Sequence, residues 1–141
     1  MNNTTTQAEL TRLARMYTER ARPVLNGPVQ EDTGASTEME VRIRTDLYDQ
    51  VLTKAQENNQ TLAAVTRAVL FRAAARAKPD PDAAERARPP LRSYNEPRRR
   101  LRVAVPSGPY AAATGAIEAS GQSITRLVED GLKDYVRLGR L

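Results

Sequence analysis

The chain has 141 residues, with 22 Lys plus Arg against 17 Asp plus Glu, a formal net charge of +5, and it contains no Cys, His or Trp. The missing Cys and His exclude thiolate and imidazole metal sites, disulfides, and Ser or Cys nucleophiles activated by His. No apolar run approaches the roughly 20 residues of a membrane span, and the opening Met-Asn-Asn-Thr-Thr-Thr lacks the pattern of a signal peptide, so a cytoplasmic chain with no membrane partner is expected.

The first patterned segment places Leu10, Leu13, Ala14 and Tyr17 at helical spacing, with Thr6 and Glu9 as a capping box and Pro23 as the stop. An N-terminal amphipathic helix is therefore expected over 1–22, followed by a linker over 23–37, rich in Pro, Gly, Asn, Ser and Thr. Met39 to Arg44 alternates cleanly, with Met39, Val41 and Ile43 on one side and Glu40, Arg42 and Arg44 on the other, which predicts a short half-buried strand. Thr45 is placed to cap a helix whose stripe is Leu47, Val51, Leu52 and Ala55. Residues 57–60 break that stripe as a turn. Thr61 caps a second helix with Leu62, Val65, Ala68, Val69 and the stem of Arg72 on its apolar side, closing a first unit over 38–77.

Five prolines (Pro79, Pro81, Pro89, Pro90 and Pro97) mark a second linker over 78–97. The earlier pattern then returns in a second unit over 98–141. Leu101, Val103 and Val105 alternate with Arg102 and Ala104, Ser107 takes the cap position, and Pro109 suits the early helix. Tyr110, Ala113 and Ile117 give the next stripe; Ser123 caps a last helix carrying Ile124, Leu127, Val128, Leu132 and Tyr135. Gly115 and Gly131 fall inside predicted helices of this unit, and each costs about 1 kcal/mol relative to Ala, which makes the second unit the softer one.

The two units align without a gap at an offset of 62: Met39 falls on Leu101, Ile43 on Val105, Thr45 on Ser107, Thr61 on Ser123 and Leu70 on Leu132. Strand period, cap hydroxyls, turn and helix stripes coincide at one offset, as a structural duplication requires. One unit of about 36 residues buries too little apolar surface to fold alone, and a lone strand leaves its backbone groups unpaired. Two units solve both problems if their strands pair as an antiparallel ribbon above four interlocked helices. The fold class expected is mainly α with a two-stranded antiparallel β-ribbon, the halves forming a pseudo-dimer within one chain. The second linker could reach about 70 Å if extended, enough to join them.

The run Met-Glu-Val-Arg-Ile-Arg-Thr-Asp-Leu-Tyr, a helix, Glu-Asn-Asn-Gln-Thr-Leu and a second helix resemble the ribbon-helix-helix (MetJ/Arc-type) repressors over 38–74, and 100–136 resemble a divergent copy. Tandem copies in one chain resemble the TraY-type DNA-binding proteins of conjugative plasmids. The resemblance implies that the exposed ribbon face enters the major groove of double-stranded DNA, with Glu38, Glu40, Arg42, Arg100, Arg102 and Ala104 as base-reading residues. A symmetric ribbon sets Glu40 across from Arg102 and Arg42 across from Arg100, so the halves present different chemistry and imply an asymmetric site rather than a palindrome. The plainer reading is a polar exposed face in which Glu40 and Arg102 merely form an ion pair.

By the same resemblance the starts of the second helices clamp phosphates, through Thr61, Leu62 and Ala63 and through Ser123, Ile124 and Thr125. Arg44, Arg98 and Arg99 flank the ribbon as further phosphate contacts. The implied role is a transcriptional repressor of a bacterium, phage or plasmid. The alternatives are a relaxosome or partition accessory protein, or an antitoxin-like interaction protein using the N-terminal helix. That helix suits self-association or a protein partner through residues 6–22, or packing on the molecule's own core. The tyrosines sit mostly on apolar stripes and suit core packing, and Gly115, Gly121 and Gly131 form no phosphate-cradling loop. Glu129 and Asp130 are adjacent on a helix and point apart, so no catalytic role, cofactor or metal is expected.

Overall fold

The alternation that begins at Met39 and returns at Leu101 becomes two strands, β1 (Ser36–Arg44) and β2 (Arg98–Pro106), paired antiparallel as a two-stranded sheet. The computed structural model describes residues 7–21, 35–78 and 97–141. Every second side chain of each strand turns inward, and Met39, Val41, Ile43, Leu101, Val103 and Val105 are each at most 3% exposed. β1 runs straight into α2 (Thr45–Glu57) and then α3 (Leu62–Arg76); β2 runs into α4 (Ser107–Ala119) and then α5 (Ile124–Leu138). The helix α1 (Gln7–Arg20) precedes both halves. The described molecule is thus mainly helical, with one antiparallel sheet over an apolar core shared by all these elements.

Every element of the first half recurs in the second at the 62-residue separation of Glu40 from Arg102. The register sets Glu40 against Arg102, Met39 against Val103 and Val41 against Leu101, and exchanging the halves leaves that pairing unchanged. The turns agree as well: Asn59 has φ of 56° and its counterpart Gly121 has φ of 77°, the left-handed conformation that a tight helix-to-helix turn needs and that Asn and Gly adopt most readily.

The strands are longer than the alternation predicts. β1 begins at Ser36, inside the expected 23–37 linker, and β2 at Arg98 rather than Leu101. Ladder pairing bonds backbone to backbone, so it continues past the core through Ser36, Thr37 and Arg98–Arg100, where no apolar period marks it. Thr6, Arg22, Pro23, Tyr94 and the remainder of both linkers lie outside the described residues.

Thr45 and Ser107 are not helix caps. They are the first helical residues, Arg44 and Pro106 hold the cap positions without side-chain bonds, and the amides of Thr45 and Ser107 donate to Pro97 O (3.1 Å) and Ala35 O (2.9 Å). Because each strand passes directly into its helix, that first N–H is taken by the residue preceding the opposite strand. Ser107 Oγ instead meets Thr37 Oγ1 at 2.8 Å. Thr61 and Ser123 do cap α3 and α5, accepting from Ala64 N (3.0 Å) and Arg126 N (3.3 Å).

The stripe of α1 lies on α3. Leu10, Leu13, Ala14 and Tyr17 are buried, and the Tyr17 ring stacks on Phe71 with centroids 4.4 Å apart. α3 therefore buries more than the stripe expected for it: Thr66, Leu70, Phe71 and Ala74 are all fully covered. Nor is Gly131 a soft spot. It lies where α5 crosses α3, and a Cβ there would collide with Cγ1 of Val69, so the missing side chain is what lets the helices approach.

Candidate nucleic-acid interface

Strand alternation decides which residues face outward. With Met39, Val41 and Ile43 buried, Glu38, Glu40 and Arg42 must project from the other side of β1, and Arg100, Arg102 and Ala104 do so from β2. All six are exposed, and the register pairs them among themselves: Glu38 with Ala104, Glu40 with Arg102, and Arg42 with Arg100.

The ion pairs of this face centre on Glu40, with Glu38 at longer range. Arg102 Nε donates to Glu40 Oε1 at 3.2 Å, Arg100 Nε lies 3.5 Å from the same oxygen, and Glu38 Oε1 is 3.9 Å from Arg102 Nε. The side chains concerned are 42–64% exposed. Exposed pairs of this kind are worth about 0–1 kcal/mol, so an incoming acceptor exchanges with the carboxylates at little cost. Arg42 has no carboxylate partner among the described residues, and it directly faces Arg100, a like-charge opposition that an anion over this end of the ribbon would relieve.

The flanking arginines differ in what they already do. Arg98 is half-buried, donating to the Arg42 carbonyl at 3.0 Å and lying 3.6 Å from Glu129. Arg44 lies 2.9 Å from Asp46, and its amide donates to Glu129 Oε2 at 3.3 Å. The Arg98 side chain thus ties the ribbon to α5, while Arg44 does so through its backbone amide and its side chain pairs locally with Asp46. Arg99 is more open: its guanidinium lies over the Tyr48 ring, 4.1 Å from the centroid, and 3.7 Å from the Asp49 carboxylate.

Two braces escaped the sequence reading. Arg67 of α3 donates to the Ala104 carbonyl at 3.1 Å, and Glu129 of α5 serves Arg44 and Arg98. They occupy equivalent positions in the two halves, as do the carbonyls of Arg42 and Ala104 that the arginines cap. Only the position of both residues on the strand-facing side of their helices could have indicated this.

At the starts of α3 and α5, the side chains of Thr61 and Ser123 occupy one amide each. The first N–H groups of the two helices, on Leu62 and Ala63 and on Ile124 and Thr125, have no acceptor within the helix and stand at its positive end. Thr61 and Ser123 are exposed, so both anion-attracting ends reach the surface. No group of metal-ligating side chains occurs among the described residues, and no described helix is long and apolar enough to cross a membrane. Comparisons with protein-family models, with curated proteins and with solved structures found no match for this chain.

Proposed function

We propose that this chain is a tandem ribbon-helix-helix protein that binds double-stranded DNA sequence-selectively, with its ribbon in the major groove, and acts as a transcriptional repressor. The observation that carries the proposal is the outward face of the ribbon: three cross-strand pairs, all exposed, bearing Arg42, Arg100 and Arg102, on a two-stranded sheet whose other face is core. A groove about 12 Å wide admits a two-stranded ribbon, and arginine there bonds guanine N7 and O6 together. The recurrence of every element at one spacing, and a register that survives exchange of the halves, support an intramolecular pseudo-dimer. The amide-bearing ends of α3 and α5 would then grip phosphates on the two sides of the groove. The two strands differ in sequence, so one molecule would recognise an asymmetric site.

The apolar stripe of α1 that an antitoxin-like protein would use for docking is covered by α3, so no observation favours that second reading. Selection of bound fragments from random duplexes tests the proposal: a motif should emerge, lying at promoters if the role is repression and at a transfer origin or partition site if it is not. Arg42→Ala with Arg102→Ala should cut the preference for that motif over random DNA at least tenfold, each bidentate contact being worth about 1–3 kcal/mol. Arg99→Ala should weaken binding to all sequences alike and lower the salt dependence by about one charge. Unchanged preference in the double variant would remove the ribbon as reader.

A further inference from the structure

Glu40 and Arg102 stand in a relation that no other pair of the ribbon shares. Each faces its own counterpart in the repeat, since they are register partners and also 62 residues apart. The centre of the ribbon is therefore occupied by two opposite charges, one from each strand, joined at 3.2 Å and with side chains 53% and 42% exposed. The contacts of Glu40 to Arg102 and to Arg100 both use Oε1, and no hydrogen bond to Oε2 occurs among the described residues. Arg102 uses Nε for that bond, and its terminal nitrogens remain to donate elsewhere.

A G·C base pair presents to the major groove two acceptors on guanine, N7 and O6, and then one donor on cytosine, N4. A guanidinium beside a carboxylate offers the complementary order, donors and then an acceptor. Resting on the DNA-binding proposal above, the geometry points to Arg102 and Glu40 as one reading unit for a single G·C pair at the middle of the bound site. Arg102 takes the guanine through its terminal nitrogens, Glu40 takes cytosine N4 through Oε2, and the bond between them holds both in place. Because the two members come from different strands, the unit also fixes which strand of the duplex carries the guanine, and so the orientation in which the protein lies.

The test compares motifs selected from random duplexes by the full chain, by the exchange variant Glu40→Arg with Arg102→Glu, and by Glu40→Gln. The exchange keeps the ion pair and reverses its direction, so the motif should keep its flanks while its central base pair inverts from G·C to C·G. Glu40→Gln should relax that one position roughly tenfold and leave the flanks selected; it also serves if the exchange variant fails to fold, which thermal unfolding reports. A motif from the full chain whose centre stays unchanged in the exchange variant, or fully selective in Glu40→Gln, overturns the paired reader while leaving the ribbon as the DNA-binding element. No motif from the full chain at all would overturn the DNA-binding proposal itself, and this inference with it.

Discussion

α3 and α5 hold equivalent places in the two halves and have the same length, yet they are covered very differently. α3 buries Val65, Thr66, Ala68, Val69, Leu70, Phe71 and Ala74, whereas α5 buries only Val128, Leu132 and Tyr135. At matching positions Ala64 stands against Arg126, Ala68 against Asp130, Phe71 against Lys133 and Ala75 against Arg137, and these four charged residues of α5 are exposed. The cause is α1, which lies on α3 and has no counterpart on α5 among the described residues. A helix with neighbours on two sides is apolar nearly all round, and one with a single buried side keeps a polar outer face. The two halves share element order and spacing; their side chains differ with the number of neighbours each helix has.

Truncation at matching positions of α3 and α5 should give the largest difference between the halves. Phe71→Ala removes a ring that is fully buried and stacked on Tyr17, and should cost about 3–5 kcal/mol in urea unfolding. Lys133→Ala, at the equivalent site on exposed α5, should change stability by no more than about 0.5 kcal/mol. Equal costs would mean that α1 is not what distinguishes the halves.

The crossing of the two helices gives a second, somewhat smaller effect. Val69 and Gly131 are themselves equivalent positions, so this contact pairs a large residue with an empty one. Two identical chains would have to place two valines or two glycines there; a single chain with unlike halves does not. Gly131→Ala should cost about 1–3 kcal/mol through overpacking. Adding Val69→Ala should recover most of that loss, with a coupling of about 1 kcal/mol or more in a double-mutant cycle. Additive costs would mean that the helices part rather than press on each other.

What the sequence revealed and what it hid follow from the same physics. Alternation at Met39–Arg44 and Leu101–Val105 identified the strands because half of each is core. It could not mark Ser36 or Arg98, where pairing is carried by backbone groups that every residue shares. The cap hydroxyls of Thr61 and Ser123 were legible because a turn precedes them; Thr45 and Ser107 misled because a strand precedes them and supplies the acceptor for their amides. Phe71 lay off the expected stripe of α3, and a large apolar residue on the wrong side was the available sign that another helix covers it. The outward residues Glu38, Glu40, Arg42, Arg100, Arg102 and Ala104 follow from strand parity alone, and their cross-strand partners from a ribbon taken as symmetric about its centre. The engagement of Arg98 and Arg44 with Glu129 did not, since it depends on how α5 meets the ribbon edge. The junction of Asn58, Gln60 and Tyr135 is likewise one-sided: Tyr135 donates to Gln60 Oε1 at 2.6 Å and accepts from Asn58 Nδ2 at 3.0 Å, and the residue matching Tyr135 in α3 is Ala73.

Glycine offers the smallest and most discriminating comparison, because the two glycines of the second half's helices should respond in opposite directions. Gly115 lies in α4, and a Cβ built there meets nothing within 4 Å. No packing compensates for the backbone freedom it gives the unfolded chain, so Gly115→Ala should stabilise by up to about 1 kcal/mol and raise the midpoint of thermal unfolding. The counterpart of Gly115 in α2 is Thr53, also exposed, so neither half needs an empty position on this face. Gly131→Ala lowers the midpoint by filling space that Val69 holds; Gly115→Ala raises it by restricting only the unfolded state. A fall in stability at both positions would mean that α4 is covered where it stands open here, and that the second half has a neighbour of its own.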